Sequence, residues 1–197
     1  MAGETFLDQL TEIGALKHGH FLLASGKHSA QYVEKFDLLR NPRATEVACR
    51  DLIEKLGDLA DVDLVVGPTT GGILLAFEIG RQLGLPAAYA ERAKDGASER
   101  AFKRGTVIDP GSRVLVVDDI LTTGGSVRET LSALDATGAS VKAIALLVDR
   151  SGGKVTFGAP LVALASLDIE VFDPEACPLC RDGVTLTKPG STAVPGT

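Results

Sequence analysis

Two adjacent carboxylates, Asp118 and Asp119, follow the apolar run Val114-Leu-Val-Val117 and precede Ile120-Leu121-Thr122-Thr123-Gly124-Gly125-Ser126. Neighbouring anions repel each other and are expensive to bury, so the pair is expected to face something to which it can hydrogen-bond; a sugar diol is one such partner. The small residues from Thr122 to Ser126 let backbone N–H groups converge at the start of a helix, where anions are favoured. Carboxylates for two ribose hydroxyls beside a cradle for a phosphate fit a ribose 5-phosphate group. Singly, the Asp-Asp pair could be a solvated turn and Thr-Gly-Gly ordinary loop chemistry. The contiguous order of strand, loop and helix is what joins them into a site.

Other chemistries fit less well. An apolar strand ending in Asp-Asp also resembles a Walker B strand, but Gly26-Lys27 is followed by His28 and has Phe21 where a P-loop needs its first glycine, which removes an NTPase reading. No Gly-x-Gly-x-x-Gly occurs, which removes a dinucleotide fingerprint. No Ser/His/Asp or Cys/His set stands out as a nucleophile. Cys177-x-x-Cys180 has zinc-ligand spacing without a second pair. His18 and His20 could complete such a site only through the fold, and a structural turn with reduced thiols is the expected reading. His28 is read as a surface or substrate-adjacent residue.

The elements that must position these groups follow from periodicity. Phe6, Leu7, Leu10, Ile13 and Leu16 recur at helical spacing, and a polar-interrupted segment, Phe21 to Tyr32, follows them. Pro42 suits a first helical turn, and Val47, Ala48, Leu52, Ile53 and Leu56 continue the helix until Gly57. Short apolar runs then alternate with glycine-containing turns and helices: Val62 to Val66, turn Gly67-Pro-Thr69-Thr70-Gly71-Gly72, helix Ile73 to Leu83; Pro86 to Ala90; Val114 to Val117 with a helix to Thr137; and Val141 to Val148. Continuous apolar strands between helices predict an α/β fold with a parallel sheet covered on both faces. The polar stretch Glu91 to Pro110 is too long for an ordinary connection and reads as a functional lid or a disordered loop.

Composition narrows the function classes. The chain has 197 residues, 45% hydrophobic and 23% charged, so one domain with a packed core is expected. No apolar run approaches the ~20 residues of a membrane span. A net charge of −6 argues against a broad nucleic-acid face. Three cysteines, Cys49, Cys177 and Cys180, are too few for a disulfide scaffold, and Met1-Ala-Gly-Glu-Thr-Phe6 shows no secretory pattern, so a cytoplasmic location is expected.

Val114 to Ser126 resembles the phosphoribosyl diphosphate (PRPP) signature of the type I phosphoribosyltransferases. That resemblance implies their fold, a central parallel sheet flanked by helices with a small hood subdomain. The whole of 1–197 is then one domain: a hood from about 1–40 with the C-terminal segment, a core of about 42–170, and a Pro/Gly-rich tail at 189–197. Three further segments resemble orotate phosphoribosyltransferases: the hood segment Phe21-Leu-Leu-Ala-Ser-Gly-Lys-His-Ser-Ala-Gln-Tyr32; Leu147-Val-Asp-Arg150; and Cys177-Pro-Leu-Cys-Arg-Asp-Gly-Val184 with Lys188-Pro-Gly-Ser191. The resemblance spans roughly Phe6 to Ser191. It implies transfer of ribose 5-phosphate from PRPP to orotate, giving orotidine 5′-phosphate and pyrophosphate in de novo pyrimidine (UMP) synthesis.

The resemblance also implies roles. PRPP would be held by Asp118, Asp119, Ile120, Leu121, Thr122, Thr123, Gly124, Gly125 and Ser126, by Thr69, Thr70 and Gly71 of the pyrophosphate loop, and by Arg92, Lys94 and Arg104. Orotate would meet Thr122, Arg150 and Lys27, the guanidinium of Arg150 being suited to a carboxylate. Lys94, Arg92, Asp118 and Asp119 would form the catalytic set, with Lys103 or Arg104 as alternatives to Lys94. Mg²⁺ would bind mainly through substrate oxygens, with Asp118 and Asp119 as possible protein ligands. Loop 92–105, hinged at Gly96 and Gly105 and also carrying Arg100, would reach into the neighbouring active site of a homodimer. The sequence departs from the family pattern at 67–72, which has no lysine, and at Ala24, where many members carry one; Lys27 is the candidate substitute there. A different base, or a PRPP-sensing regulator without turnover, remain the alternatives.

Overall fold

The computed structural model describes residues 5–23, 25–94 and 99–189. The expectations placed on Ala24, on the Gly96 hinge and on residues 190–197 of the tail lie outside these. The described residues up to Leu38 and from Asp168 onward form one compact unit; Leu39–Leu167 form another.

In the first unit, helix α1 (Phe6–Glu12) is closed by a reciprocal cap, in which Thr5 accepts from the Asp8 backbone and the Asp8 side chain accepts from the Thr5 backbone. The helical pattern ends earlier than expected. Leu16 already opens strand β1 (Leu16–Leu22), which pairs antiparallel with β2 (His28–Val33). The segment read only as polar-interrupted is therefore the hairpin. Helix α2 (Lys35–Leu39) leads out of this unit.

The second unit begins with α3 (Pro42–Leu56), capped by the Asn41 side chain, started by a proline and stopped at Gly57, as the sequence predicts. Strand β3 (Leu64–Pro68), helix α4 (Gly71–Leu83), β4 (Ala87–Arg92), β5 (Arg100–Ala101), β6 (Arg113–Leu121), α5 (Gly125–Asp135), β7 (Ser140–Asp149) and β8 (Leu161–Ser166) follow. The chain then returns to the first unit, where β9 (Val171–Phe172) pairs with β2 and a short helix α6 (Pro178–Arg181) follows. Strand β8 was not foreseen, although Leu161-Val-Ala-Leu-Ala is an apolar run.

The six-stranded sheet of the second unit has the order β5-β4-β3-β6-β7-β8, parallel except for β5. From β3 the chain moves outward to β4 and then returns to the other side of β3 as β6, so the order reverses between β3 and β6. A crevice opens at such a switch point, outside the carboxyl ends of the strands. Val114 to Val117 are fully buried, which requires cover on both faces of β6. Val114 and Val116 share a core cluster with Val127 and Leu134 of α5, while α4 packs on β3, β4 and β6 and against α3. Burying each such valine contributes about 1.5–3 kcal/mol.

At the amino end of β6, Arg113 holds Asp63 and Asp61 at 2.7 and 2.6 Å. Its guanidinium draws the Asp63 carboxyl down to about 2.

Candidate active site at the carboxyl ends of β3 and β6

Strand β6 continues beyond the expected Val117, through both aspartates to Leu121, with Asp118 in register with Leu146 and Leu121 with Asp149. The reason is its place between two parallel neighbours, where the ladder to β7 continues to pair backbone groups. Side chains alternate along a strand, so Asp118 and Asp119 leave it on opposite faces. Asp118 points to the α5 side and accepts from the Ser126 hydroxyl at 2.6 Å and from the Asp119 backbone at 2.9 Å. Asp119 points to the α4 side, where its carboxylate lies against Gly71, and its Oδ1 accepts from the Ile120 backbone at 2.7 Å. Both side chains are largely buried.

Each strand-to-helix turn has a sequence reason. A Cβ at position 71 would overlap Oδ2 of Asp119, so the first residue of α4 has to be glycine for that carboxylate to stay where it is. Gly124 has φ 80°, and a Cβ there would come within 2.9 Å of Val155. α5 begins immediately after it, with no side-chain cap bond and no acid in its first turn, which leaves its N-terminal N–H groups suited to an anion. Thr122 and Thr123 are exposed beside them.

Outside the long connection after β4, the remaining predicted residues fall into four groups. Thr69 and Thr70 link β3 to α4, adjacent to the β6 end through the switch point. Arg150 directly follows β7; its backbone N–H donates to the Leu121 carbonyl at 2.8 Å, which places it beside Thr122, and its side chain is half-buried. Ile120 and Leu121 sit within the β6–β7 ladder, and the Leu121 side chain belongs to the core cluster. Lys27 lies in the β1–β2 turn of the first unit, 3.2 Å from Asp173.

Within the long connection after β4, Glu91 pairs antiparallel with Ala101 and Arg92 with Arg100, so part of this stretch is ordered against the sheet. Lys94, two residues past the end of β4, is exposed. Arg104 (φ 56°) sits 3.2 Å from Glu91, and Lys103 donates to the Arg92 carbonyl at 2.6 Å. Arg100, expected with the other loop cations, is buried. It pairs with Glu129 of α5 at 3.0 Å and donates to the Thr69 hydroxyl at 3.0 Å and the Ala90 carbonyl at 2.9 Å. This contact to Thr69 in the β3–α4 turn was missed in the sequence, where nothing distinguishes Arg100 from its exposed neighbours. Position gives the only hint: it lies near the end of a loop that has to rejoin the sheet.

Residues 37–165 match the model of the phosphoribosyl transferase domain. Over 191 residues the chain is 44% identical to the orotate phosphoribosyltransferase of Caldicellulosiruptor bescii, covering 97% of this chain and 98% of that protein. It is also 44% identical over 182 residues to that of Thermotoga maritima, covering 92% and 95%. Among solved structures, orotate phosphoribosyltransferase from Aeropyrum pernix superposes with a TM-score of 0.69 at 32% identity, covering 83% of this chain and 94% of that one. With the switch-point crevice, the paired aspartates of β6 and the open N-terminus of α5 already in place, these matches show that the chain belongs to the orotate phosphoribosyltransferase family, with the type I phosphoribosyltransferase fold.

Proposed function

We propose that this chain catalyses the reaction named for its relatives: a ring nitrogen of orotate bonds to C1 of PRPP as the C1–oxygen bond to pyrophosphate breaks, through an oxocarbenium-like transition state, giving orotidine 5′-phosphate in pyrimidine synthesis. The observation that carries this reading is the convergence at one sheet edge of Asp118, Asp119 and the uncapped start of α5. The carboxylates accept from the ribose hydroxyls, and the backbone from Thr122 to Ser126 receives the 5-phosphate. Thr69, Thr70 and Gly71 face the pyrophosphate. Arg150, beside Thr122, offers a bidentate partner for the orotate carboxylate. Lys27 is assigned to orotate on the family pattern alone.

No covalent intermediate is required, so rate comes from positioning and from stabilising the departing charge. Lys94, with Arg92 and Arg104 of the same connection, supplies that positive charge, and Arg100 donates a hydrogen bond to the Thr69 hydroxyl. Mg²⁺ fits this donor set: two aspartates offer too few oxygens for an all-protein cage but can assist a cation held chiefly by substrate oxygens. When bound it neutralises charge on the leaving pyrophosphate.

Leu74 and Phe77, 42% and 66% exposed on α4, form an apolar pair that suits a homodimer contact, and lid residues could then serve the neighbouring site. The two units act as core and hood of one domain, and the location is cytoplasmic. No helix among the described residues is long and apolar enough to cross a membrane.

The test is the fall in orotate ultraviolet absorbance on mixing with PRPP and Mg²⁺, beside uracil, hypoxanthine and adenine controls. PRPP-dependent loss with orotate alone is expected. Turnover with another base would reassign the substrate, and PRPP binding without turnover of any base would make the protein a sensor.

A further inference from the structure

A second constellation lies wholly within the first unit and plays no part in the proposed reaction. His20 on β1, His28 on β2, and Cys177 and Cys180 around the start of α6 each direct one donor atom to a common point, all four atoms lying within 4.8 Å of one another. His20, His28 and Cys177 are buried, which overturns the surface reading of His28; His18, the other histidine considered, is exposed and outside the group.

The distances resemble the edges of a metal tetrahedron. His20 Nε2 is 2.9 Å from His28 Nδ1, 3.5 Å from Cys177 Sγ and 3.8 Å from Cys180 Sγ, and Cys180 Sγ is 3.3 Å from His28 Nδ1. Zinc bonds of about 2.0–2.1 Å to nitrogen and 2.3 Å to sulfur give edges of about 3.3 Å between nitrogens and about 3.6 Å between nitrogen and sulfur.

Proton accounting points the same way. His20 Nδ1 is 2.8 Å from the Val184 carbonyl, which can only accept, so Nδ1 carries the hydrogen and Nε2 presents a lone pair. That lone pair faces His28 Nδ1 and two sulfurs. A hydrogen-bonded cluster could satisfy it with one donor and would leave the others crowded, whereas a cation satisfies all four groups together. The Val184 contact is also the outer hydrogen bond that typically orients a ligating imidazole.

We propose that His20, His28, Cys177 and Cys180 bind one zinc ion per chain. Two thiolates and two imidazoles in a tetrahedron select zinc among common divalent ions. With four protein ligands and no open position, the ion is structural: it ties the β1–β2 hairpin to the C-terminal turn.

Metal analysis of untagged full-length protein, grown with zinc and purified without chelator, tests this. One zinc per chain is expected. It should be absent from the Cys177→Ser/Cys180→Ser double variant and released stoichiometrically when a mercurial titrates the wild-type thiols. Because that variant can misfold, cobalt exchange into the wild type provides a separate readout: intense visible bands of a tetrahedral thiolate site should appear and be displaced by zinc. Folded, reduced wild-type protein without zinc and without cobalt bands would overturn the proposal. So would a Cys177–Cys180 disulfide in protein prepared under reducing conditions. Neither result bears on orotate turnover, so this site and the proposed reaction stand or fall separately.

Discussion

Asp118 and Asp119 are adjacent in sequence yet occupy opposite faces of β6, one bonded to Ser126 of α5 and the other set against Gly71 of α4. The strand end thus carries one carboxylate toward each of the two turns that frame the crevice. Each aspartate is positioned by a different helix, and each can be perturbed separately.

Asp118→Asn and Asp119→Asn should each weaken PRPP binding by about ten- to a hundredfold, the range of about 1.5–3 kcal/mol for hydrogen bonds to charged groups. The double variant should show no binding by titration calorimetry. Retained affinity in the double variant would place the ribose elsewhere. Ser126→Ala, which removes only the hydroxyl that holds Asp118, should show a smaller loss in the same direction.

Gly71→Ala adds a methyl group where the Asp119 carboxylate stands, with Leu39 3.1 Å away on another side. Overpacking of this kind costs about 1–3 kcal/mol. The melting temperature should fall, and PRPP affinity should fall with it because Asp119 has to turn away. Unchanged affinity with normal folding would mean that the turn can shift without moving the carboxylate.

Arg100 and Lys94 belong to the same connection and should behave in opposite ways. Arg100→Ala leaves Glu129 and Thr69 without their partner, and breaking a buried pair costs about 3–5 kcal/mol, here toward the lower figure because Glu129 is partly exposed. Thermal unfolding should show it. Lys94→Ala should leave stability unchanged and lower kcat by about 10²–10³, the scale for losing one transition-state donor. A normal kcat would pass the role to Lys103 or Arg104.

Acid should loosen the amino end of β6. The folded-state value of Asp63 lies near 2, below its ordinary 3.8, because Arg113 donates to its ionised form. A depressed carboxyl contributes stability above the unfolded value that is lost as pH falls through the folded one, so this contribution should fade between about pH 4 and 2. Asp63→Asn should flatten that part of the stability curve; an unchanged acid limb would show that Arg113 does not hold Asp63 in solution.

Much of this was legible in the chain. Pro42 and Gly57 bracket α3 as written, and the alternation of apolar runs with glycine turns gave the parallel sheet together with the loops at its carboxyl edge. What sequence could not supply was decided by neighbours in space. Continuing ladder bonds to β7 carried β6 past Val117 and separated two carboxylates that seemed to stand together. The burial of Arg100 depended on Glu129 and Thr69, 29 and 31 residues away. His28 and Cys180 are 152 residues apart, a distance at which no local spacing rule operates.

That last separation bears on how the protein is made. The first unit draws on residues before Leu39 and after Leu167, so while the ribosome is still translating the second unit the β1–β2 hairpin lacks β9, Cys177 and Cys180. The second unit, continuous from Leu39 to Leu167, can close as soon as it emerges, whereas the first stays incomplete until the residues from Asp168 onward have been made. A nascent chain stalled before Cys177 should therefore resist protease across the second unit while the β1 and β2 strands remain open to cleavage.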